Sequence, residues 1–260
     1  MRQIGTDPVM IVDESGIPVA IPSSTKSVFF EDFIGAYVSG AFVGCNDVAG
    51  TDFNGIWTYD ATGLSSSPGI TPATVLSLPD GVIQMTLNNV NQAENGMIYF
   101  NDSLVFQLNK SLIFECRVNI NVLPTRSGTE TTSMVFGMCS AHNATPSSIA
   151  VNAWFRLEAG STPGLVKWET DDGNVSVDSD NNSTGVTLTA NTFHIYQIDF
   201  TNLAAVKFYI DNVLVGTGNM AALANPSVQP YFRVTKSVSS SNTGIGTMYI
   251  DYVQVSQTRT

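Results

Sequence analysis

The chain has 260 residues, long enough for one large all-β unit and short enough that two domains are not required, since sandwiches of roughly 200 to 250 residues fold as single units. Charged residues are 13 % of it and hydrophobic residues 43 %, a balance that suits many short strands with polar turns and excludes an architecture of long, salt-bridged helices. Twenty-two acidic against 11 basic residues give a net charge of −11, which excludes nucleic acid and anionic membrane as partners and favours solubility through mutual repulsion.

Residues 1–27 form an expected extended arm. Pro8, Gly16, Pro18 and Pro22 interrupt its apolar pieces, and prolines at this density oppose helix and central strand. Its apolar side chains Val9, Ile11, Val12, Ile17, Val19 and Ile21 are candidates for contact with a partner. No apolar leader opens the chain and no run approaches the ~18 apolar residues of a membrane span, so synthesis in a cytoplasm is expected.

From Val28 to residue 260 the pattern is a succession of strands. Trp57 and Tyr59 fall on one strand face beside a Ser-rich loop. Ile83, Met85 and Leu87 alternate with Gln84 and Thr86, and Leu112, Phe114, Cys116, Val118 and Ile120 alternate with Glu115, Arg117 and Asn119. Met134, Phe136 and Met138 make another one-sided set, followed by Phe155 with Leu157, Val166 with Trp168, and Phe232 with Val234. Polar loops are expected at 62–72, 142–148, 159–164, 171–185 and 237–246, and one or two helical turns over 219–225, ahead of Pro226. Three cysteines, Cys45, Cys116 and Cys139, without CxxC spacing fit neither a disulfide framework nor a zinc site and read as small buried hydrophobes.

The last quarter carries the clearest signal. Tyr196, Ile198 and Phe200 alternate with Gln197 and Asp199; two apolar runs, Val206 to Ile210 and Val213 to Val215, flank Asp211-Asn212, a hairpin dipeptide of residues that tolerate positive φ; and Met248 to Val255 alternates to the end. This order of "YQIDF", "VKFYIDNVLVGT" and "MYIDYVQV" resembles the C-terminal half of concanavalin A-like (laminin G-like) jelly-roll domains, with "FFEDF" and "SLIFECRVNI" extending the likeness over about residues 28–260. The resemblance implies an all-β, two-sheet antiparallel jelly-roll sandwich of roughly 12 to 14 strands behind the arm. Its motifs concern packing and bring no catalytic or binding residue with them.

Members of this superfamily include glycoside hydrolases with a Glu-x-Asp-x-x-Glu strand, in which paired carboxylates supply nucleophile and acid. The nearest match here is Glu169 and Asp171 on one strand face, but Asn174 stands where the second Glu would fall and Gly173 interrupts the strand, so a polar strand end entering a turn is the favoured reading. Asp178, Asp180 and Asn182 imitate the opening of a calcium loop, yet Ser183 and Thr189 occupy the positions that need Gly and Glu, which favours a solvated turn and no metal. Neither a GxSxG elbow nor a nucleotide-binding glycine loop occurs, and the two histidines, His142 and His194, lie far apart, so no cofactor and no catalytic residue is expected.

Stand-alone domains of this kind resemble bacteriophage virion proteins. The leading expectation is a non-enzymatic capsid decoration (cement) protein on the virion exterior, a dimer or trimer that grips the major capsid protein or another virion subunit through its arm. The alternative is a lectin-like module that binds a surface glycan, for which Trp57 and Tyr59 are the candidate platform, although in a large two-sheet sandwich the favoured place for these rings is the core or an oligomer interface; a glycoside hydrolase is the third reading.

Overall fold

The computed structural model describes residues 2–6, 26–31, 33, 50–51, 57–62, 70–73, 81–89, 93–125, 132–143, 145–160, 162–174, 179–237 and 244–259. In chain order the strands are β1 (Arg2–Thr6), β2 (Lys26–Glu31), β3 (Gly50–Thr51), β4 (Thr58–Thr62), β5 (Ile70–Ala73) and β6 (Val82–Leu87). They continue with β7 (Glu94–Tyr99), β8 (Phe106–Gln107), β9 (Ile113–Val122), β10 (Thr132–Cys139), β11 (Val151–Glu158) and β12 (Leu165–Asp172). The last are β13 (Ser179–Thr187), β14 (Phe193–Asp199), β15 (Val206–Ile210), β16 (Val213–Gly218), β17 (Ser227–Lys236) and β18 (Gly246–Thr258).

These strands form two antiparallel sheets. The first runs β1-β2-β18-β9-β14-β15-β16, with β6 on the leading half of β18 and β5 beside β6; the second runs β13-β12-β11-β10-β17-β7-β4-β3, with β8 on β17. The expected two-sheet sandwich is therefore correct. Its strand count is higher than expected because several strands are short rim pieces of two to five residues.

Alternation builds the core as the sequence pattern predicts. Phe114, Cys116, Val118 and Ile120 of β9 meet Met134, Phe136 and Met138 of β10 and Phe155 and Leu157 of β11 in one continuous cluster. Toward β13 and β16 the sheets close on Trp168, whose ring stacks on Phe208 with centroids 5.1 Å apart. That closure uses Gly216: a Cβ there would sit 2.4 Å from Trp168 Nε1. On the opposite flank Trp57 meets Phe100 edge-on at 4.5 Å, beside Phe29 and Phe33.

Local chemistry explains the turns. Asp211 and Asn212 adopt φ of 50° and 64°, the left-handed pair that a two-residue hairpin needs, and Asp211 is fastened by hydrogen bonds with Ile195 N and His194 Nδ1. Two expectations are corrected. Residues 219–225 form turns and no helix, because Met220 is drawn into the core and Ala224 N donates to Asp172 O. The loop expected over 171–185 is largely strand: β12 runs to Asp172 and β13 begins at Ser179, held by ladder bonds and by Thr184 Oγ1 donating to Val166 O.

Arg2–Thr6 of the expected arm pairs antiparallel with β2 and so forms an edge strand of the chain's own sheet. The six apolar arm residues, Val9, Ile11, Val12, Ile17, Val19 and Ile21, lie outside the described residues. Cys116 and Cys139 are buried free thiols whose pKa is driven up by burial, in keeping with their expected packing role; Cys45 is outside the described residues.

Among the described residues one ion pair is wholly internal. Lys236 Nζ lies 3.4 Å from Glu94 Oε2, both side chains have no exposure, Lys236 donates to Asn88 O and Glu94 accepts from Asn88 N. The pair thus caps both backbone groups where β6 leaves its sheet. Removing Lys236 takes a buried counter-ion from Glu94, so Lys236→Met is expected to cost about 3 to 5 kcal/mol, and the further change Glu94→Leu to restore part of it. Urea denaturation of the two variants checks this; equal stabilities would refute the coupling.

Candidate functional site: a polar pocket on the outer face of the second sheet

The strands β11, β12 and β13 carry polar side chains on the face that points away from the core. On β11 the inward set is Val151, Ala153, Phe155 and Leu157, so Asn152, Trp154, Arg156 and Glu158 point outward; on β12 the outward set is Lys167, Glu169 and Asp171. Antiparallel register places Trp154 opposite Glu169 and Asn152 opposite Asp171. A bulge in the β12–β13 pairing gives β13 one extra residue opposite Glu169. Asn181 takes φ of 54° there, which turns its N–H onto Glu169 Oε1 at 3.3 Å.

The result is a pocket of about 260 Å³. Glu169, Asp171 and Asp180 supply carboxyl groups, Asn152, Asn181, Trp154 and Arg156 complete the sheet surface, and Pro146 and Ser147 from a 3-10 turn (Pro146–Ser148) form a rim.

Glu169 is the fixed point of this site. Only 3 % of it is exposed, and it accepts hydrogen bonds from Trp154 Nε1 at 2.5 Å and Arg156 at 3.0 Å besides Asn181 N. Burial raises its pKa; Arg156, Trp154 and Asn181 N offset that only in part, and Asp180 adds to the rise. Arg156 is shared, since it also pairs with Glu158, which in turn holds Lys167 at 2.7 Å. Lys167 reaches Asn181 Oδ1 at 3.1 Å. Asp171 is likewise pushed up by burial, against a hydrogen bond from Gly173 N and with Asp172 and Asp180 nearby. Asn152 is 6 % exposed, and its Oδ1 has no hydrogen-bond partner among the described residues.

Glu169 and Asp171 therefore share a face, as their spacing predicts, and the structure brings them to one pocket with Asp180. Asn174, at the position of the missing second Glu, is turned elsewhere: its N–H meets Asp172 Oδ1 and its side chain donates to Ala222 O. The imitation of a calcium loop dissolves, because Asp180 and Asn182 belong to a paired strand; Asp178 is outside the described residues. Among the described residues no group of three or more His, Cys, Asp and Glu is placed to hold a metal ion. His142 pairs with Asp102 at 2.8 Å beside the second sheet and His194 with Asp211 at 2.6 Å on the first, so the two histidines act at separate places.

Of the two places open to Trp57, sugar platform or core, the structure shows the core. Trp57 is 1 % exposed and packs against Phe29, Phe33, Phe100 and Phe232, so its face cannot be reached. Tyr59 lies in β4, paired in register with Ile98. Sequence reasoning missed Asn152, Trp154 and Arg156. The available signal was their alternation with Ala153 and Phe155: a strand that is apolar on one face and carries Asn, Trp and Arg on the other presents a built surface.

Comparison with solved structures places this sandwich among known relatives in shape. A protein of unknown function from Shewanella oneidensis MR-1 superposes with a TM-score of 0.54 at 11 % identity, over 97 % of each chain. The fold is concanavalin A-like. A structure from work on endo-acting O-glycanases of the human gut microbiota that initiate mucin breakdown matches at TM-score 0.53 and 13 % identity, over 89 % of this chain and 99 % of that one. The metal-free carbohydrate recognition domain of Emp46p matches at 0.51 and 7 % identity, over 86 % of this chain and 94 % of that domain. No protein-family model and no curated protein matches the sequence.

Because folding raises the Glu169 pKa, ionisation of this carboxyl opposes folding. Its contribution is full below the unfolded glutamate value of about 4.3 and is lost as pH rises through the higher folded value. Glu169→Gln, which keeps an acceptor for Trp154 and cannot ionise, is expected to flatten this part of the stability profile. Denaturant unfolding from about pH 4 upward measures it; superimposable profiles would show that Glu169 titrates as an ordinary glutamate.

Proposed function

We propose that this protein is a glycan-binding domain that receives sugar hydroxyls in the pocket between β11, β12 and β13, and that it binds without cleaving. The observation that carries the reading is the convergence of Asp171, Asp180 and the buried Asn152, whose Oδ1 has no hydrogen-bond partner among the described residues, at one concavity. Sugar hydroxyls are hydrogen-bond donors, and a desolvated acceptor with no internal partner gains most when a ligand donates to it. A role in binding is further supported by the state of Glu169: its oxygens are occupied by Trp154, Arg156 and Asn181, which suits a residue that orients the wall of the site better than one that transfers a proton. The same fold serves a carbohydrate recognition domain in Emp46p.

Glycan-array screening followed by calorimetry tests the proposal. Asn152→Ala and Asp171→Ala are each expected to weaken the best ligand about tenfold or more, the loss of one buried hydrogen bond, with the fold intact by circular dichroism. Binding unchanged in both variants would reject the pocket.

A second reading retains the virion role, as a capsid-decorating protein whose arm engages a neighbouring subunit. Its support is that the first residues of the arm already add a strand to a sheet edge through main-chain pairing, the chemistry such attachment would use. Removal of residues 1–25, which spares β2, is expected to abolish occupancy on purified capsids in a sedimentation assay; full occupancy would reject it.

A further inference from the structure

The charges around the pocket narrow the ligand class, and the argument rests on the glycan-binding reading above. We infer that the pocket accepts uncharged glycans and refuses anionic ones, such as sulfated, sialylated or uronic sugars, with Asp171 and Asp180 as the discriminating residues.

Among the described residues that line the concavity, three carry carboxyl groups, Glu169, Asp171 and Asp180, and one is a cation, Arg156. That guanidinium is compensated twice, by Glu158 and by Glu169, so its positive charge is already matched within the protein even though its Nε makes no hydrogen bond. Lys167, the next cation on this face, is engaged by Glu158 and by Asn181 Oδ1. An entering sulfate or carboxylate would therefore meet Asp171 and Asp180 with no uncommitted positive charge to offset them. Like charges brought together in a desolvated site are strongly unfavourable and act as an exclusion device. The overall charge of −11 adds a long-range repulsion of the same sign.

A neutral glycan meets the opposite situation. Asp171, Asp180 and Asn152 Oδ1 are acceptors, Asp171 already taking one hydrogen bond from Gly173 N, and hydroxyl or acetamido N–H groups are donors that suit them. Asn152 is the observation independent of the acidic cluster, a side chain more than nine-tenths buried at this pocket with its carbonyl oxygen unpaired.

The experiment uses the full chain on an array that carries neutral oligosaccharides beside the sulfated and sialylated forms of the same backbones. Wild-type binding is expected on neutral glycans, about tenfold or more weaker on each charged counterpart, with the gap shrinking as ionic strength rises. The double variant Asp171→Asn with Asp180→Asn, which preserves shape, is expected to close most of that gap. Asp180→Asn alone, at an exposed strand position, narrows it in part and keeps the test readable should the double variant fail to fold. Equal wild-type affinity for charged and neutral forms would overturn the selectivity and leave glycan binding standing. A gap that survives both variants unchanged would overturn the assignment to these aspartates. Silence on every glycan would overturn the binding reading, and this inference with it.

Discussion

The structure depends on a constraint at the centre of its second sheet: β10 is buried on both faces along its full length, and β17 along nearly all of it. One face is covered by the first sheet, through Met134, Phe136, Met138, Phe232 and Val234. On the other, Met97, Tyr99, Val135, Cys139, Trp154 and Tyr231 form a second apolar patch with Ile149, which follows the 3-10 turn. A sheet covered in the middle of its outer face can offer a concavity only toward a flank. The pocket lies there, on β11 to β13, where the apolar patch gives way to polar side chains and the rim is supplied by the same 140–150 connection that contributes Ile149.

Charge follows the same geography. Internal ionic groups occur where they resolve a backbone problem, as Lys236 and Glu94 do at Asn88, while the outward face of β11 and β12 links Lys167, Glu158, Arg156 and Glu169 into one chain of contacts. This chain uses up the cations of the region. It leaves Asp171 and Asp180 as the surplus, and that surplus gives the pocket its acceptor character.

Most of the architecture was readable from alternation, because period-two patterning is unambiguous where one face is apolar and the other polar, as in β9 and β14. It fails in two physical circumstances. Where both faces are apolar or aromatic, the pattern names a strand but not its inside, so it leaves Trp57 open to either the core or a sugar platform and gives no sign that Trp154 is a wall of the site. Where a strand lies at a sheet edge and is wet on one side, Asn, Ser and Thr serve both its faces, and β13 was indistinguishable from a loop. The pairing of Glu169 with Asp171 was legible from spacing alone. Their meeting with Asp180 and Asn152 required register, and the β13 bulge that delivers Asp180 and Asn181 has no signature in composition.

Trp154 is opposite Gly137 on the neighbouring strand, and Gly137 in turn is opposite Tyr231 on the next. The two rings lie nearly parallel, 6.1 Å apart, above a position with no side chain; a single added carbon there would come within 2.4 Å of Ala153 O and 2.8 Å of Trp154 Cβ. The indole is thus seated by a vacancy, and the indole N–H is one of the donors that hold Glu169 in place. A methyl-sized change on β10, two strands from Glu169, would travel through the ring and re-aim that carboxyl without altering any polar group, so this glycine sets the tolerance of the site as much as the carboxyl groups themselves do.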